Sequence, residues 1–407
     1  MKIGILIADS NGCFPVPATK GGAVSTLVES LVKENSKKNL CKLTIFSYYS
    51  EEAYEKSKSY TNVNFVWIKV PKYIKKLDNI VFYGMNKMKT AKAISYKSIF
   101  SLIYYIKFVA NYLRRHNFDK LVLENNVPLI WTIRLSKYTG KFYYHFHNVP
   151  RLSAGSKKVF KQCSGFLCVS KYVAHQIKSA DSAIGSVDLK RIKILYNAID
   201  TKLFKPYNRA KLQRIKSKIK ERYDIKNNQK IILYTGRLSK EKGIGVLLDA
   251  ISRLSKYDYK LLIVGSVMHG SNQGNEYLDQ VKQKAKKIGD NVVFTNYISH
   301  SKLPDYYNAA DVIVLPSMWE EPAGLTMIEG LACGTLVITT QSGGIPEYVG
   351  NDAVVIKRDK KIINTLSSEI DRVLENPEMY KKTNGRRVEK FFSDDEYLER
   401  FLKCIEK

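Results

Sequence analysis

The sequence predicts an α/β protein made of two doubly wound domains, each a parallel sheet covered by helices. Its length of 407 residues is too great for one ordinary domain and suits two of about 150–200 residues each. Short apolar runs typical of buried strands alternate with segments of helical periodicity. This alternation begins near residue 3 and starts afresh near residue 231, so the two halves are alike in predicted architecture.

In the first half, five short apolar runs predict buried strands, and two segments with apolar residues at helical spacing predict covering helices. The strands are expected at Ile3–Ile7, Leu43–Phe46, Val63–Ile68, Lys120–Leu123 and Phe142–His147. The helices are expected at Gly22–Val32 and Ile94–Arg115.

The second half repeats the pattern, with strands expected at Ile231–Tyr234, Leu261–Val264, Val292–Phe294, Val312–Leu315 and Leu336–Thr339. A helix is expected at Gly243–Leu254, and a Lys-rich helix ends near Tyr223. We place the domain boundary near Asp200–Pro206, giving domains 1–203 and 204–391. A last helix over about 392–407 is expected to pack back on the first domain. Ligands of such sheets bind at the carboxyl ends of the strands.

The net charge of +29 is unevenly spread along the chain. Residues 1–200 carry 32 Lys and Arg against 12 Asp and Glu, a net +20, which leaves +9 for the remainder. Such an excess predicts an anionic partner: a membrane surface, nucleic acid or a phosphorylated substrate. A composition bias inherited from an AT-rich genome is the alternative explanation.

Six cysteines without a C-x-x-C pair predict reduced thiols and no zinc site. The first apolar run, Ile3–Ile7, is too short for the core of a signal peptide, and Lys107 interrupts the longest run, Ile99–Leu113. We therefore expect a cytoplasmic protein, with peripheral contact to the inner face of the cell membrane left open.

Segment 317–334 carries the strongest chemical signal, directly after the predicted strand Val312–Leu315. Pro322 suits the first turn of a helix, because its missing N–H is no loss there. Glu321 and Glu329 would bind ligand hydroxyls beside an anion site, an arrangement that suits a sugar phosphate. Solvated helix carboxylates are the alternative interpretation. The anion site would use the helix dipole and the N–H groups of Ala323, Gly324 and Leu325.

Four motifs together resemble the signature of glycosyltransferase family four, the retaining glycosyl transferases group 1. They are Glu321-x7-Glu329, Gly236-Arg237-x4-Lys242-Gly243, Asn308-Ala-Ala-Asp311 and Gly343-Gly-Ile-Pro-Glu347. The match spans nearly the whole chain and is closest over residues 231–350. The resemblance implies a GT-B fold, in which two Rossmann-like domains face each other across a cleft that holds the active site.

The resemblance also implies roles for the motif residues. Arg237 and Lys242, on a turn with Gly236, would neutralise the donor diphosphate without a metal, since fixed cations stabilise a leaving nucleoside diphosphate. Glu329 would hold the ribose hydroxyls, and Glu321 would contact the transferred sugar. Because the chain is so basic, the alternative interpretation is that Arg237 and Lys242 are ordinary surface cations.

The first half offers two further candidates. Gly21 and Gly22, between the first strand and its helix, would allow close approach of a phosphate, although a tight turn explains them equally well. His147 resembles the family's histidine that faces the donor sugar, and His145 has the same strand parity and would point to the same face. A structural strand histidine is the alternative. No G-x-G-x-x-G follows the first strand, which counts against an NAD enzyme.

The expected function is retaining transfer of a sugar from a nucleotide-sugar donor, with a UDP-sugar favoured. A surface-glycan or lipid-linked saccharide in bacterial polysaccharide biosynthesis is the expected acceptor, with a protein-bound, spore or cell-wall glycan as the alternative. No cofactor beyond the co-substrate, no metal and no nucleic acid are expected. Ala323 stands where the family usually has Phe, so the identity of the transferred sugar cannot be inferred from the family. Competing interpretations are an epimerase or phosphorylase, a basic nucleic-acid-binding or anionic-surface-binding protein, and an inactive partner subunit.

Overall fold

The chain folds into two compact units. The fold is given by a computed structural model, which describes residues 1–8, 13–19, 22–87, 97–179, 181–254, 256, 258–265, 276–376 and 386–406. The first unit comprises Met1–Ala198 together with Asp394–Lys407, and the second comprises Ile199–Ser393. The boundary expected at residue 203 lies a few residues beyond this division.

Within its described residues, the first unit is built on a seven-stranded parallel sheet. The strands are β1 (Lys2–Ile7), β2 (Lys42–Tyr48), β3 (Val63–Ile68), β4 (Lys120–Glu124), β5 (Lys141–Phe146), β6 (Gly165–Cys168) and β7 (Ile192–Ile194). Their order is β3-β2-β1-β4-β5-β6-β7, so the direction of winding reverses between β1 and β4. The central strands are buried along nearly their whole length because helices cover both faces, which explains their near-continuous apolar sequences.

The helices of this unit follow the strands in alternation. They are α1 (Ala23–Lys38), α2 (Glu51–Ser57), α3 (Lys72–Lys87), α4 (Ile99–Leu113), α5 (Ile130–Ser136), α6 (Lys157–Gln162) and α7 (Lys171–Lys178). The helix expected from residue 94 begins at Ile99, and residues 94–96 lie outside the described residues. Buried Asp78 in α3 accepts hydrogen bonds from the N–H groups of Phe100 and Ser101 and thereby caps α4. Across the described residues, no helix is long and apolar enough to span a bilayer.

The second unit, over the residues described, contains a six-stranded parallel sheet of order β10-β9-β8-β11-β12-β13. The strands are β8 (Lys230–Thr235), β9 (Tyr259–Val264), β10 (Val292–Asn296), β11 (Val312–Leu315), β12 (Val337–Thr340) and β13 (Val354–Ile356). The helices are α8 (Arg209–Arg222), α9 (Ile244–Ile251), α10 (Glu276–Ile288), α11 (Leu303–Ala309), α12 (Leu325–Ala332), α13 (Ile345–Val349), α14 (Ile362–Glu375) and α15 (Arg386–Phe392).

The last helix, α16 (Tyr397–Ile405), belongs to the first unit. Its apolar side chains, among them Leu398 and Phe401, are fully buried in the core that β1 and α1 form. Buried Glu34 of α1 accepts a hydrogen bond of 2.6 Å from the N–H of Leu398, which satisfies a donor in the first turn of α16. Lys38 forms an ion pair of 3.0 Å with Glu399 beside it.

The two strand orders locate the regions where ligands bind. In each sheet the winding reverses between two neighbouring central strands, β1 and β4 in one unit and β8 and β11 in the other. Loops that follow such a pair diverge and open a crevice at the carboxyl ends of the strands. Functional residues are therefore expected near the carboxyl ends of these central strands.

Candidate functional site

In the second unit, the loop after β8 packs tightly on the loop after β11. Gly243 has φ +72°, and a Cβ atom added there would collide with the carbonyl group of Pro316. The N–H of Met318 donates to the carbonyl of Glu241 at 2.8 Å. Only glycine allows this approach, because it tolerates a positive φ and has no side chain to clash. Gly236, which opens the β8 loop, also has a positive φ, of +150°.

This approach brings Lys242 into contact with Glu321. The Lys242 ammonium forms an ion pair with Oε1 of Glu321, and the Ser317 hydroxyl donates to the same oxygen at 3.1 Å. Glu321 is only 6% exposed, so these two contacts replace much of the water that would otherwise solvate its carboxylate. Arg237 is different: its side chain is half exposed, and among the described residues its ion pair is a 3.9 Å contact with exposed Glu241.

Helix α12 begins directly beside this pair. Its N-cap is Gly324, and no side chain of the described part of the chain caps it, so the N–H groups of Ala323, Gly324 and Leu325 lie at an uncapped helix end. The sequence predicted Pro322 in the first turn of this helix. That prediction is wrong, because Pro322 lies in the loop before the helix. In a helix that began at Pro322, the carbonyl of Glu321 would accept the first intrahelical hydrogen bond. Here that carbonyl accepts a hydrogen bond of 2.6 Å from the N–H of Gly344 instead.

Glu329, one turn into α12, is also buried, and two neighbours hold its carboxylate. His300 Nε2 lies 2.9 Å from Oε1, and the Tyr307 hydroxyl donates to Oε2 at 3.0 Å. The Tyr307 hydroxyl also lies 3.1 Å from the Thr235 hydroxyl at the end of β8. Burial and then the nearby Glu329 charge raise the pKa of Tyr307 well above its ordinary value, so it stays a neutral donor. Sequence reasoning missed both His300 and Tyr307.

The other two motifs, Asn308–Asp311 and Gly343–Glu347, hold the loops of the site in place. Asp311 accepts hydrogen bonds of 2.7 Å from the N–H of Ile231 and from Lys216, which fixes the start of β8. Gly343, at φ +53°, packs its backbone against that of Glu321, where a Cβ atom would collide. These blocks therefore hold the loops that carry the charged residues.

In the first unit, the structure groups His147 with a residue that sequence reasoning missed. His147 is the first residue after β5, and its Nε2 lies 2.8 Å from Oε2 of Glu124, the last residue of β4. Nδ1 of His145 lies 3.0 Å from the same oxygen, so both histidines point to one face, as their parity predicted. Gly22 precedes α1 with φ +104°, and Gly21 lies outside the described residues.

Burial and charge set the ionisation of this group. Burial opposes a charge on Glu124, but His145 and His147 outweigh it and lower the pKa of the carboxyl to about 2. Burial, and then the neighbouring His145, lower the pKa of His147 to about 4. At neutral pH the carboxylate is therefore ionised and His147 is neutral. The donor atoms of the three side chains lie within 4.8 Å of one another, close enough to hold a metal ion, but the shared oxygen already accepts from both rings.

Comparison with known proteins identifies the family. The family model for glycosyl transferases group 1 matches residues 215–387, the part that contains the whole charged cluster of the second unit. Residues 215–387 are therefore a group 1 glycosyltransferase domain. Two proteins of Bacillus subtilis align with nearly the whole of this glycosyltransferase. Spore coat protein SA is 25% identical and covers 100% of both chains, and the putative glycosyltransferase YtcC is 24% identical over 97% of this chain and 89% of its own length.

Solved structures confirm the GT-B fold of this glycosyltransferase. A glycosyltransferase from Rickettsia africae superimposes with a TM-score of 0.74 at 20% identity, covering 98% of this chain and 96% of its own. Anabaena HepE, solved in complex with UDP and glucose, gives a TM-score of 0.71 at 15% identity over 100% of both chains. The resemblance inferred from the four motifs is thereby confirmed.

Proposed function

We propose that the chain is a retaining glycosyltransferase that moves a sugar from a nucleotide-sugar donor, favouring UDP-sugars, to a saccharide acceptor in surface-glycan synthesis. One observation carries the proposal: two cations, an uncapped helix N-terminus and two buried carboxylates meet after β8 and β11. This is the combination that a sugar linked to a diphosphate requires, because the phosphates need positive charge and the sugar hydroxyls need acceptors.

The donor diphosphate would be bound by Arg237, Lys242 and the first N–H groups of α12. Arg237 is half exposed at the end of its loop and can turn its planar fork toward a phosphate. Lys242 has three N–H donors, so it can keep its contact with Glu321 and still donate to a phosphate oxygen. As the nucleoside diphosphate leaves, its growing negative charge is stabilised by groups that are already in place.

The two carboxylates would bind the hydroxyl groups of the ribose and of the transferred sugar. Glu329 has its oxygens held by His300 and Tyr307 and would accept hydrogen bonds from the ribose hydroxyls. Glu321, anchored by Lys242 and Ser317, would contact hydroxyls of the transferred sugar. We propose that His147 positions that sugar from the first unit.

The resemblance to family four supports retention of anomeric configuration. In that scheme the acceptor hydroxyl attacks from the face that the diphosphate leaves, and a phosphate oxygen takes the acceptor proton. Because Arg237 and Lys242 supply the positive charge, we propose that transfer needs no divalent metal.

The acceptor is proposed to be a surface-glycan or lipid-linked saccharide. A partial match supports this choice: the lipopolysaccharide 1,2-N-acetylglucosaminetransferase of Salmonella typhimurium is 26% identical over 56% of each chain. The full-length alignment with spore coat protein SA favours the alternative, a spore or cell-wall glycan.

Helix α3 supports a peripheral position on an anionic membrane. Its buried face carries Ile74 and Asp78, and its outer face carries an apolar stripe at helical spacing whose members are 44–66% exposed: Tyr73, Leu77 and Ile80. Lys72 and Lys76 lie on the same exposed side. An exposed apolar stripe flanked by lysines suits a negatively charged leaflet, where rings and aliphatic chains enter the interface.

The donor can be tested by thermal unfolding with UDP-, GDP-, ADP-, CMP- and dTDP-sugars. A ligand at 100 times its Kd stabilises the native state by about 2.7 kcal/mol, so one nucleotide class should stand out. NMR of the product made with that donor then gives the anomeric configuration. No stabilisation by any nucleotide sugar would contradict the proposal, and inversion of the anomeric centre would refute its retaining part.

A further inference from the structure

Three buried side chains meet at the carboxyl ends of β4 and β5, next to the winding reversal of the first unit. Glu124, His145 and His147 are only 2%, 1% and 8% exposed. Glu124 and His145 are opposite each other in the strand register. A single oxygen, Oε2 of Glu124, lies 3.0 Å from His145 Nδ1 and 2.8 Å from His147 Nε2. Two bonds to one oxygen restrain the rotation of the carboxylate.

The backbone of this corner is fixed as well. Asn125 adopts a left-handed conformation, φ +55°, which asparagine tolerates better than most residues. Its N–H donates to the carbonyl of His145 at 2.8 Å, and its side-chain Oδ1 accepts from the N–H of His147 at 3.1 Å. Both the main chain and the ring of His147 are therefore held by residues at the end of β4.

The shared carboxylate also determines which ring nitrogen of His147 carries the proton. An ionised carboxylate can only accept hydrogen bonds, so Nε2 of His147 must donate. A neutral imidazole has one N–H, so Nδ1 is left with a lone pair and can only accept. The ring is then an acceptor for a hydroxyl group.

The arrangement is a costly one for a purely structural corner. Oε1 of Glu124 and Nε2 of His145 are buried without a hydrogen-bond partner among the described residues. Burying polar atoms without partners opposes folding, and apolar side chains would fill the same space at lower cost. A fixed orientation of His147 is a function that would explain why the carboxylate is there.

We propose that Glu124 is a positioning residue, which holds His147 as the Nε2–H tautomer so that Nδ1 accepts a hydrogen bond from a donor-sugar hydroxyl. This inference rests on the proposed role of His147 at the sugar. His145 takes part as the second donor that keeps the carboxylate in place. Glu124 touches no substrate and acts on transfer through His147.

A double-mutant cycle tests the coupling. Glu124→Leu removes both acceptor atoms at similar volume and should lower kcat roughly 10- to 100-fold, with the donor KM changed less than about threefold, because a displaced ring impairs the reacting geometry. Glu124→Gln keeps one carbonyl oxygen and should recover part of the loss. In a His147→Ala background, Glu124→Leu should cause no further loss. Glu34→Leu, which removes another buried carboxylate of the first unit, should lower stability and leave kcat near wild type.

NMR of the wild-type enzyme labelled with ¹⁵N-histidine tests the tautomer without any folding risk, the His147 signal being assigned from its absence in His147→Ala. The expected pattern at neutral pH is a protonated Nε2 and an unprotonated Nδ1. The inference would be overturned if NMR showed the Nδ1–H tautomer or an imidazolium. It would also be overturned if Glu124→Leu lowered kcat equally in the wild-type and His147→Ala backgrounds, or if the protein held stoichiometric zinc that Glu124→Leu abolished. Wild-type activity of His147→Ala would instead refute the proposed role of His147 itself.

Discussion

Lys242→Ala separates the structural role of the Lys242–Glu321 pair from its proposed role at the diphosphate. Removing one partner of a fully buried ion pair costs about 3–5 kcal/mol, and an exposed pair contributes about 0–1 kcal/mol. Here the side chains are 25% and 8% exposed, and Ser317 remains as a partner of the carboxylate, so we expect a loss of about 2 kcal/mol. That corresponds to a fall in Tm of roughly 4–8 °C. Sugar transfer should fall by about 100-fold or more, because leaving-group stabilisation is lost.

Two variants provide the controls, and thermal unfolding with initial-rate assays on the full chain gives both readouts. Lys242→Ala combined with Glu321→Gln removes the unpaired charge, so it should regain much of the stability and stay inactive. Lys284→Ala breaks an exposed ion pair with Asp249 in the same unit and should change neither property much. Near-wild-type turnover of folded Lys242→Ala would exclude Lys242 from the donor site, and an unchanged Tm would show that its ion pair with Glu321 does not stabilise the fold.

Four further outcomes are expected. Arg237→Ala should lower transfer by about 100-fold or more with little change in Tm, since the side chain is half exposed; normal rates in the folded variant would remove it from the donor site. Transfer should persist in EDTA, and a loss that Mg²⁺ or Mn²⁺ restores would show a metal requirement. The pKa of His147 falls from 6.5 to about 4 on folding, so the unfolded chain binds more protons between these values and stability should rise with pH there. A His147→Asn variant should flatten this rise in Tm, and an identical pH profile would contradict it. Neutralising Lys72, Lys75 and Lys76 should lower recovery on anionic liposomes in flotation, and the wild-type binding should weaken with salt. Equal wild-type recovery on neutral vesicles, or none on either, would leave the charge as composition bias.

Features that depend on local sequence could be predicted. The strands Val63–Ile68 and Val312–Leu315 have the expected bounds. For Val312–Leu315 the reason is that a continuous apolar run between polar segments marks a buried parallel strand. Arg237 and Lys242 fall after β8, and Glu321 after β11, as strand and loop spacing indicated. Strands β6, β7 and β13 were missed, since runs of three or four residues give too little periodicity to identify.

Features that depend on tertiary contacts could not be predicted. Glu124 is one acidic residue at a strand end, and only the register of β4 with β5 places it opposite His145. His300 lies in a short turn far from Glu329 in sequence, and the packing of α11 against α12 brings the two together. Pro322 was assigned to a helix on its intrinsic preference, but the hydrogen bond from Gly344 to the carbonyl of Glu321 delays the helix to Leu325.

The residues after β8 and β11 are proposed to bind the diphosphate of a nucleotide sugar. Calorimetric titration of UDP into the wild-type enzyme and into an Arg237→Ala, Lys242→Ala double variant measures their contribution without depending on the acceptor. We expect saturable binding to the wild type and at least about a 100-fold weaker Kd in the folded double variant, equivalent to about 2.7 kcal/mol. Equal affinity for UDP in the two proteins would exclude Arg237 and Lys242 from the donor site.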